Sequence, residues 1–229
     1  MTQPFHLILL PGLGADERLF GPQRRAFPGL EVPRWIAPRG RESLSAYAGR
    51  LAAVLRPERP LVLGGVSLGG MVALELASHL RPAALVLVAT CRTPRAIAPW
   101  LRFCAGLAGS LPERLVGWSK PMAPLTAGRL SGCGRRHAGL VARMYQDADS
   151  GFMHWACHAV LGWQPLRQIA CPVFQIHGAA DRMIPAISVR ADVLVPGGGH
   201  LINLTHAEVV NRFIAAAAEQ AISVSERST

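Results

Sequence analysis

The chain has 229 residues, 50% hydrophobic and 17% charged, which suits one domain with one large core. Its formal charge is +10, yet no aromatic-interleaved basic platform accompanies it, so nucleic acid is not expected as a partner. No apolar run approaches the ~18 residues a membrane span needs, and no basic leader precedes the first apolar stretch, so a cytoplasmic protein is expected.

Phe5 to Leu10 is an apolar run closed by Pro11-Gly12, the pattern of a buried parallel strand. The loop Pro11-Gly12-Leu13-Gly14 leads into a short helix over Ala15 to Phe27, broken near Gly21-Pro22. Leu30 to Ile36 reads as a weaker strand interrupted by Pro33, and Pro38-Arg39-Gly40 as a turn. Ser43 or Ser45 can cap a helix to about Arg56, with Leu44, Tyr47, Leu51 and Val54 or Leu55 at helical spacing. Leu61 to Val66 is a strand, Leu68 to Leu80 a helix, and Ala83 to Ala89 another buried strand.

Strand signals stop between residues 92 and 165. That portion is rich in leucine, glycine and proline and holds Trp100, Trp118, Trp155 and Trp163. Nine basic residues there face only Glu113, Asp147 and Asp149, a local net charge of +6. Short helices are expected, with the tryptophans forming either an apolar acyl pocket or the segment's own core. Strands return at Pro172 to His177 and Ala191 to Val195, followed by the loop Pro196-Gly197-Gly198-Gly199-His200. Thr205-His206-Ala207-Glu208 has the form of a capping box opening a helix to about Ala221, and Ser223 to Thr229 reads as a polar tail.

This alternation predicts an α/β fold of about six mainly parallel strands flanked by helices. Residues 1–91 and 166–229 are expected to form the core, and 92–165 a helical lid inserted into it. The five cysteines, at positions 91, 104, 133, 157 and 171, are an odd number with no Cys-x-x-Cys. Such spacing suits neither a zinc site nor a disulfide framework and fits reduced thiols in the cytosol.

The chemistry centres on Gly65-Val66-Ser67-Leu68-Gly69, a Gly-x-Ser-x-Gly between a strand and a helix. A turn of that kind strains the serine backbone, and the flanking glycines remove side chains that would collide there. The hydroxyl is then presented at a helix N-terminus, where the dipole favours negative charge. A serine hydroxyl is a poor nucleophile near pH 7 and needs a base within hydrogen-bonding reach. Among eight histidines, His200 is the best placed, because loops after parallel strands converge on the sheet edge that carries Ser67. Asp181, in Gly178-Ala179-Ala180-Asp181 after the penultimate strand, is the candidate carboxylate that orients the base. His177 ends a buried strand and reads as structural. His154 and His158 would share a helix face, but no third ligand is evident, so packing rather than metal binding is expected.

With these pieces the chain resembles the α/β-hydrolase superfamily over nearly its whole length. The matching motifs are Leu10-Pro-Gly-Leu-Gly14, Gly65-Val-Ser-Leu-Gly69, Gly178-Ala-Ala-Asp181 and Gly199-His200. Within it the chain looks most like small bacterial serine carboxylesterases with a helical lid, such as pimeloyl-carrier-protein methyl esterases. The resemblance implies catalytic roles for Ser67, Asp181 and His200, with an oxyanion hole made by the backbone N–H groups of Leu13 and Leu68. It also implies a small-molecule acyl ester substrate, and the basic lid would suit an anionic or carrier-linked one. No cofactor or metal is called for. Relatives usually carry His-Gly where Pro11-Gly12 stands, and often begin with an antiparallel hairpin that Met1 to Pro4 is too short to form. Thioesterases, lactonases and hydroxynitrile lyases share this triad, and a ligand-binding protein on the same fold is a further alternative. Oligomeric state is not legible in the sequence.

Overall fold

The computed structural model describes residues 4–110, 120–122, 131–166 and 168–226. Five strands, β1 (His6–Leu10), β2 (Leu61–Val66), β3 (Ala84–Val88), β4 (Val173–Gly178) and β5 (Val193–Val195), form one sheet in the order β1-β2-β3-β4-β5. Every neighbouring pair is parallel. The α-helices among the described residues are α1 (Gly21–Ala26), α2 (Leu44–Val54), α3 (Leu68–Leu80), α4 (Pro99–Ser110), α5 (Gly134–Asp147), α6 (Ser150–Leu161), α7 (Ile202–Thr205) and α8 (Ala207–Glu226).

The near-continuous apolar strands follow from burial on both faces. Ile8, Leu63 and Leu85 are register partners across three strands and face one core cluster with Leu10 and Leu87. Leu7, Leu9, Val62, Val66, Val86 and Val88, which alternate with them, face the other cluster. A slip of one residue would exchange the two sets, so both layers pin the register. The first cluster is closed by Tyr47 of α2, Met71 and Leu76 of α3, and Phe152 and Trp155 of α6. The second is closed by Leu19, Phe20, Met144 of α5, and Val210 and Ile214 of α8. Helix starts are set by side-chain caps: Ser43 accepts from Ala46 N at 3.2 Å, and Asp149 from Phe152 N at 2.6 Å.

Three local expectations change. The weak strand over residues 30–36 contributes a single parallel bridge, Ile8 to Glu31, beside β1. Glu31 exchanges backbone bonds with Leu7 O (2.9 Å) and Leu9 N (3.1 Å), and Pro33, having no N–H, ends the ladder there. Thr205 does not open a capping box. It ends α7, its hydroxyl bonding Leu201 O at 3.3 Å and His206 Nδ1 at 2.9 Å. The final helix also runs on through Glu226, beyond the expected stop near Ala221.

Because all five strands are parallel, the loops after Leu10, Val66, Val88, Gly178 and Val195 emerge at one edge of the sheet. The expected site residues all lie on these loops or at the start of α3.

Candidate active site

Ser67 occupies the junction of β2 and α3 with φ 54° and ψ −120°, a conformation that a non-glycine residue rarely holds. Such strain costs about 1–3 kcal/mol and persists only where the surroundings impose it. They do so here. A Cβ at Gly65 would collide with the backbone of Gly69, and one at Gly69 with the Leu10 carbonyl. The junction is therefore packed backbone on backbone against the end of β1. Ser67 N donates to Val88 O at 3.2 Å, and Thr90 Oγ1 donates to Ser67 O at 2.6 Å. Leu68 is the first residue of α3, so its N–H belongs to the helix turn that lacks intrahelical acceptors.

The loop after β1 comes alongside. A Cβ at Gly12 would stand 3.5 Å from Ser67 Cβ, so the Gly12–Leu13 backbone runs next to the serine. Ala15 N closes that turn on Gly12 O at 3.1 Å, and the Leu13 side chain is exposed. Beyond it, Gly14 has φ 69° and lies beneath the Tyr145 ring of α5, leaving no room for a Cβ. Arg18 ties the same loop to the end of α5 by bridging Asp16 and Asp147, the latter at 2.7 Å. At the other end of α5, Ser131 O accepts from His200 N at 3.0 Å. Both loops that flank Ser67 are thus contacted from one stretch of chain, α5 and the residues just before it.

Asp181 and His200 meet across the ends of β4 and β5. His200 Nδ1 lies 2.7 Å from Asp181 Oδ2, with both residues buried. Asp181 Oδ1 accepts from Met183 N (2.8 Å) and Ile184 N (3.0 Å), which fixes the carboxylate plane. Burial opposes ionisation of Asp181. The charge of His200 and the hydrogen bonds from His177, His200 and Ile184 N outweigh it and hold the carboxyl well below the usual carboxylate range. With Nδ1 donating to an ionised carboxylate, His200 Nε2 is the ring nitrogen that can accept a proton.

Two buried polar residues make contacts at the site that the sequence did not reveal. His177, read as structural, places Nε2 3.2 Å from Asp181 Oδ2 and 2.8 Å from Ile184 O. Its position in a buried strand was legible, but not that the turn over 181–184 folds back onto it. Thr90 also had no motif to mark it. It reaches Ser67 only because β2 and β3 are neighbours, and its own carbonyl is held by Gln175 Nε2 at 2.9 Å. Gln175 in turn accepts from Arg92 Nε at 3.1 Å.

The tryptophans divide. Trp155 and Trp163 are buried in the first core cluster, their indole N–H groups donating to Glu42 O (2.9 Å) and Glu75 Oε1 (2.7 Å). They anchor α6 and the chain after it. Trp100 is exposed, and Trp118 lies outside the described residues. A cavity of about 290 Å³ is lined by Leu74, Arg92, Pro165, Leu166, Ile169 and Val173, none of them a candidate site residue. His154 and His158 meet edge-on with centroids 5.3 Å apart. Among the described residues, no group of three or more His, Cys, Asp or Glu side chains could hold a metal ion.

A sequence model of the alpha/beta hydrolase family matches residues 4–213, spanning β1 and reaching well into α8. The chain belongs to that family. Solved structures share the α/β-hydrolase fold at low identity. An esterase from Thermogutta terrifontis superposes with a TM-score of 0.69 at 20% identity, covering 94% of this chain and 89% of that one. An enol-lactonase from Burkholderia xenovorans gives 0.70 at 17%, covering 95% and 92%. The type II thioesterase of the borrelidin biosynthetic cluster gives 0.65 at 22%, covering 94% and 95%. No curated protein matches the sequence. This α/β-hydrolase thus has esterase, lactonase and thioesterase neighbours, and among its described residues no helix is long and apolar enough to cross a membrane.

Proposed function

We propose that the protein is a serine hydrolase that cleaves carboxylic esters through an acyl-enzyme on Ser67. The observation that carries this is a serine held at positive φ on the sheet edge where a buried Asp181–His200 pair sits. In this scheme His200 Nε2 takes the Ser67 hydroxyl proton as Oγ attacks the acyl carbon. Asp181 keeps the Nδ1–H tautomer and stabilises the imidazolium. The tetrahedral oxyanion is held by the N–H groups of Leu13 and Leu68, each such donor typically contributing about 3 kcal/mol. His200 then protonates the leaving alcohol, and water repeats the two steps on the acyl-enzyme.

Residues 92–165 are proposed to act as the lid. Support comes from the stretch 131–147, in which Tyr145 of α5 covers the loop of Leu13 and Ser131, ahead of α5, accepts from His200 N. Exposed arginines at 95, 102, 135, 136 and 143 give this segment a basic surface suited to an anionic or carrier-linked acyl group. The five free cysteines support a cytoplasmic location. Thioester and lactone cleavage would use the same steps, in keeping with the named activities of the thioesterase and enol-lactonase neighbours.

A p-nitrophenyl ester series from acetate to palmitate tests the proposal. Saturable turnover with an optimum chain length is expected. Absence of turnover on every ester, with turnover on an acyl thioester or a lactone, would replace the ester reading by one of those.

A further inference from the structure

His177 is fully buried, yet among the described residues its imidazole makes polar contact through one nitrogen alone. Nε2 faces two acceptors, the Ile184 carbonyl at 2.8 Å and Asp181 Oδ2 at 3.2 Å, so the proton resides on Nε2. Nδ1 is buried with no hydrogen-bond partner among the described residues. A phenylalanine would fill similar volume without leaving that nitrogen unpaired, so packing alone does not call for an imidazole.

What the imidazole adds is one N–H shared between the Ile184 carbonyl, its nearer partner at 2.8 Å, and the Asp181 carboxylate at 3.2 Å. Asp181 Oδ1 is occupied by the N–H groups of Met183 and Ile184, and Oδ2 by His200. His177 completes the set and also grips the Ile184 carbonyl, joining the two ends of the turn that carries Asp181. The titratable groups around the carboxylate are His200 from the loop after β5, His177 from β4, and Cys91 after β3, whose thiol burial pushes up to about 12. Cys91 is therefore neutral near pH 7, and the two histidines are the side chains that act on the Asp181 charge.

We infer that His177 is a positioning residue, holding Asp181 Oδ2 on the His200 Nδ1–H and sharing its negative charge. The inference rests on the serine-hydrolase reading, but the 3.2 Å approach of Nε2 to Oδ2 holds whether or not an ester is turned over. In His177→Phe the Asp181 carboxylate has one donor fewer, so it can rotate and draws more strongly on the remaining His200 proton.

The test compares the wild-type protein with His177→Phe and His177→Gln, whose amide N–H can reach the place of Nε2. On the preferred p-nitrophenyl ester, kcat is expected to fall by about 10- to 100-fold in His177→Phe with KM little changed. His177→Gln should recover most of that loss. The low-field proton resonance of His200 Nδ1–H should move in His177→Phe and return towards its original position in His177→Gln. Equal impairment of both variants with an unmoved resonance would make His177 merely structural and overturn the inference. Should His177→Phe fail to fold, nitrogen-15 spectra of the wild-type histidines decide instead. His177 must carry its proton on Nε2, and a proton on Nδ1 would overturn the inference. A wild-type protein inert towards esters whose His200 Nδ1–H resonance still moves in His177→Phe would count against the ester reading while upholding the positioning role of His177.

Discussion

Replacing Ser67 by alanine is expected to lower kcat/KM for esters by about 10⁴- to 10⁶-fold while leaving the fold intact. The loss should be that large because the scheme routes every covalent step through Oγ, and water held by the remaining groups is the only substitute. The fold should survive for reasons visible at the junction. The Ser67 side chain makes no capping bond to α3, and the residue's structural bonds run through its backbone, N to Val88 O and O from Thr90 Oγ1. Alanine meets the same positive φ with no added bulk, so the unfolding free energy from urea melts should change by no more than the ordinary range of surface substitutions, about 0.5 kcal/mol. Turnover retained by Ser67→Ala would remove the serine from the mechanism. Turnover lost together with the folded state would leave the chemical and structural roles unseparated, which is why both are measured on one preparation.

Gly69→Ala should act on the fold instead: it changes none of the proposed catalytic groups, yet the folded state that assembles them is lost. A methyl group at this position would point into the Leu10 carbonyl and also crowd Pro11 O, both backbone atoms that cannot turn aside. Relief would require α3 to lift off the end of β1, opening the first core cluster around Met71 and Leu76. Overpacking against a rigid neighbour typically costs about 1–3 kcal/mol. Here a whole helix must shift, so the loss should reach the ~5–15 kcal/mol total stability of a domain this size. Little soluble protein and no cooperative thermal transition are expected. Gly21→Ala is the matched control. Gly21 has helical φ, and the nearest atom to an added Cβ is the flexible Arg25 guanidinium at 3.9 Å, so that variant should melt like the parent. A soluble Gly69→Ala protein with an unchanged transition would show that the junction is looser than its close contacts imply.

Much of this architecture was legible because burial on both faces leaves an unambiguous trace. Runs such as Leu61 to Val66 and Ala84 to Val88 need no alternation to be read as strands, and Ser67 stands where one such run meets a helix. Asp181 and His200 could be picked out since each follows a strand that ends at the same sheet edge. What stayed hidden depends on contacts between segments far apart in sequence. Tyr145 covers Gly14, Thr90 reaches Ser67, and His177 meets Asp181 only after the turn over 181–184 closes. The tryptophans between 92 and 165 suggested an apolar acyl pocket, with the segment's own core as the alternative. Burial of Trp155 and Trp163 among Tyr47, Phe152 and α3 assigns those two to the core. Thr205 shows the limit of a short motif: its spacing to Glu208 fits a capping box, but the chain enters α7 first and the hydroxyl is taken by Leu201 O.

The most direct test of the central claim is to treat the wild-type protein with a fluorophosphonate and locate the adduct by mass spectrometry, with His200→Gln alongside. Stoichiometric modification of Ser67, slowed at least about a hundredfold in His200→Gln, is the expected result, because only a serine with a working base attacks phosphorus at a useful rate. No adduct, or an adduct on another residue with Ser67 intact, would contradict an activated nucleophile at this position and with it the proposed hydrolase mechanism.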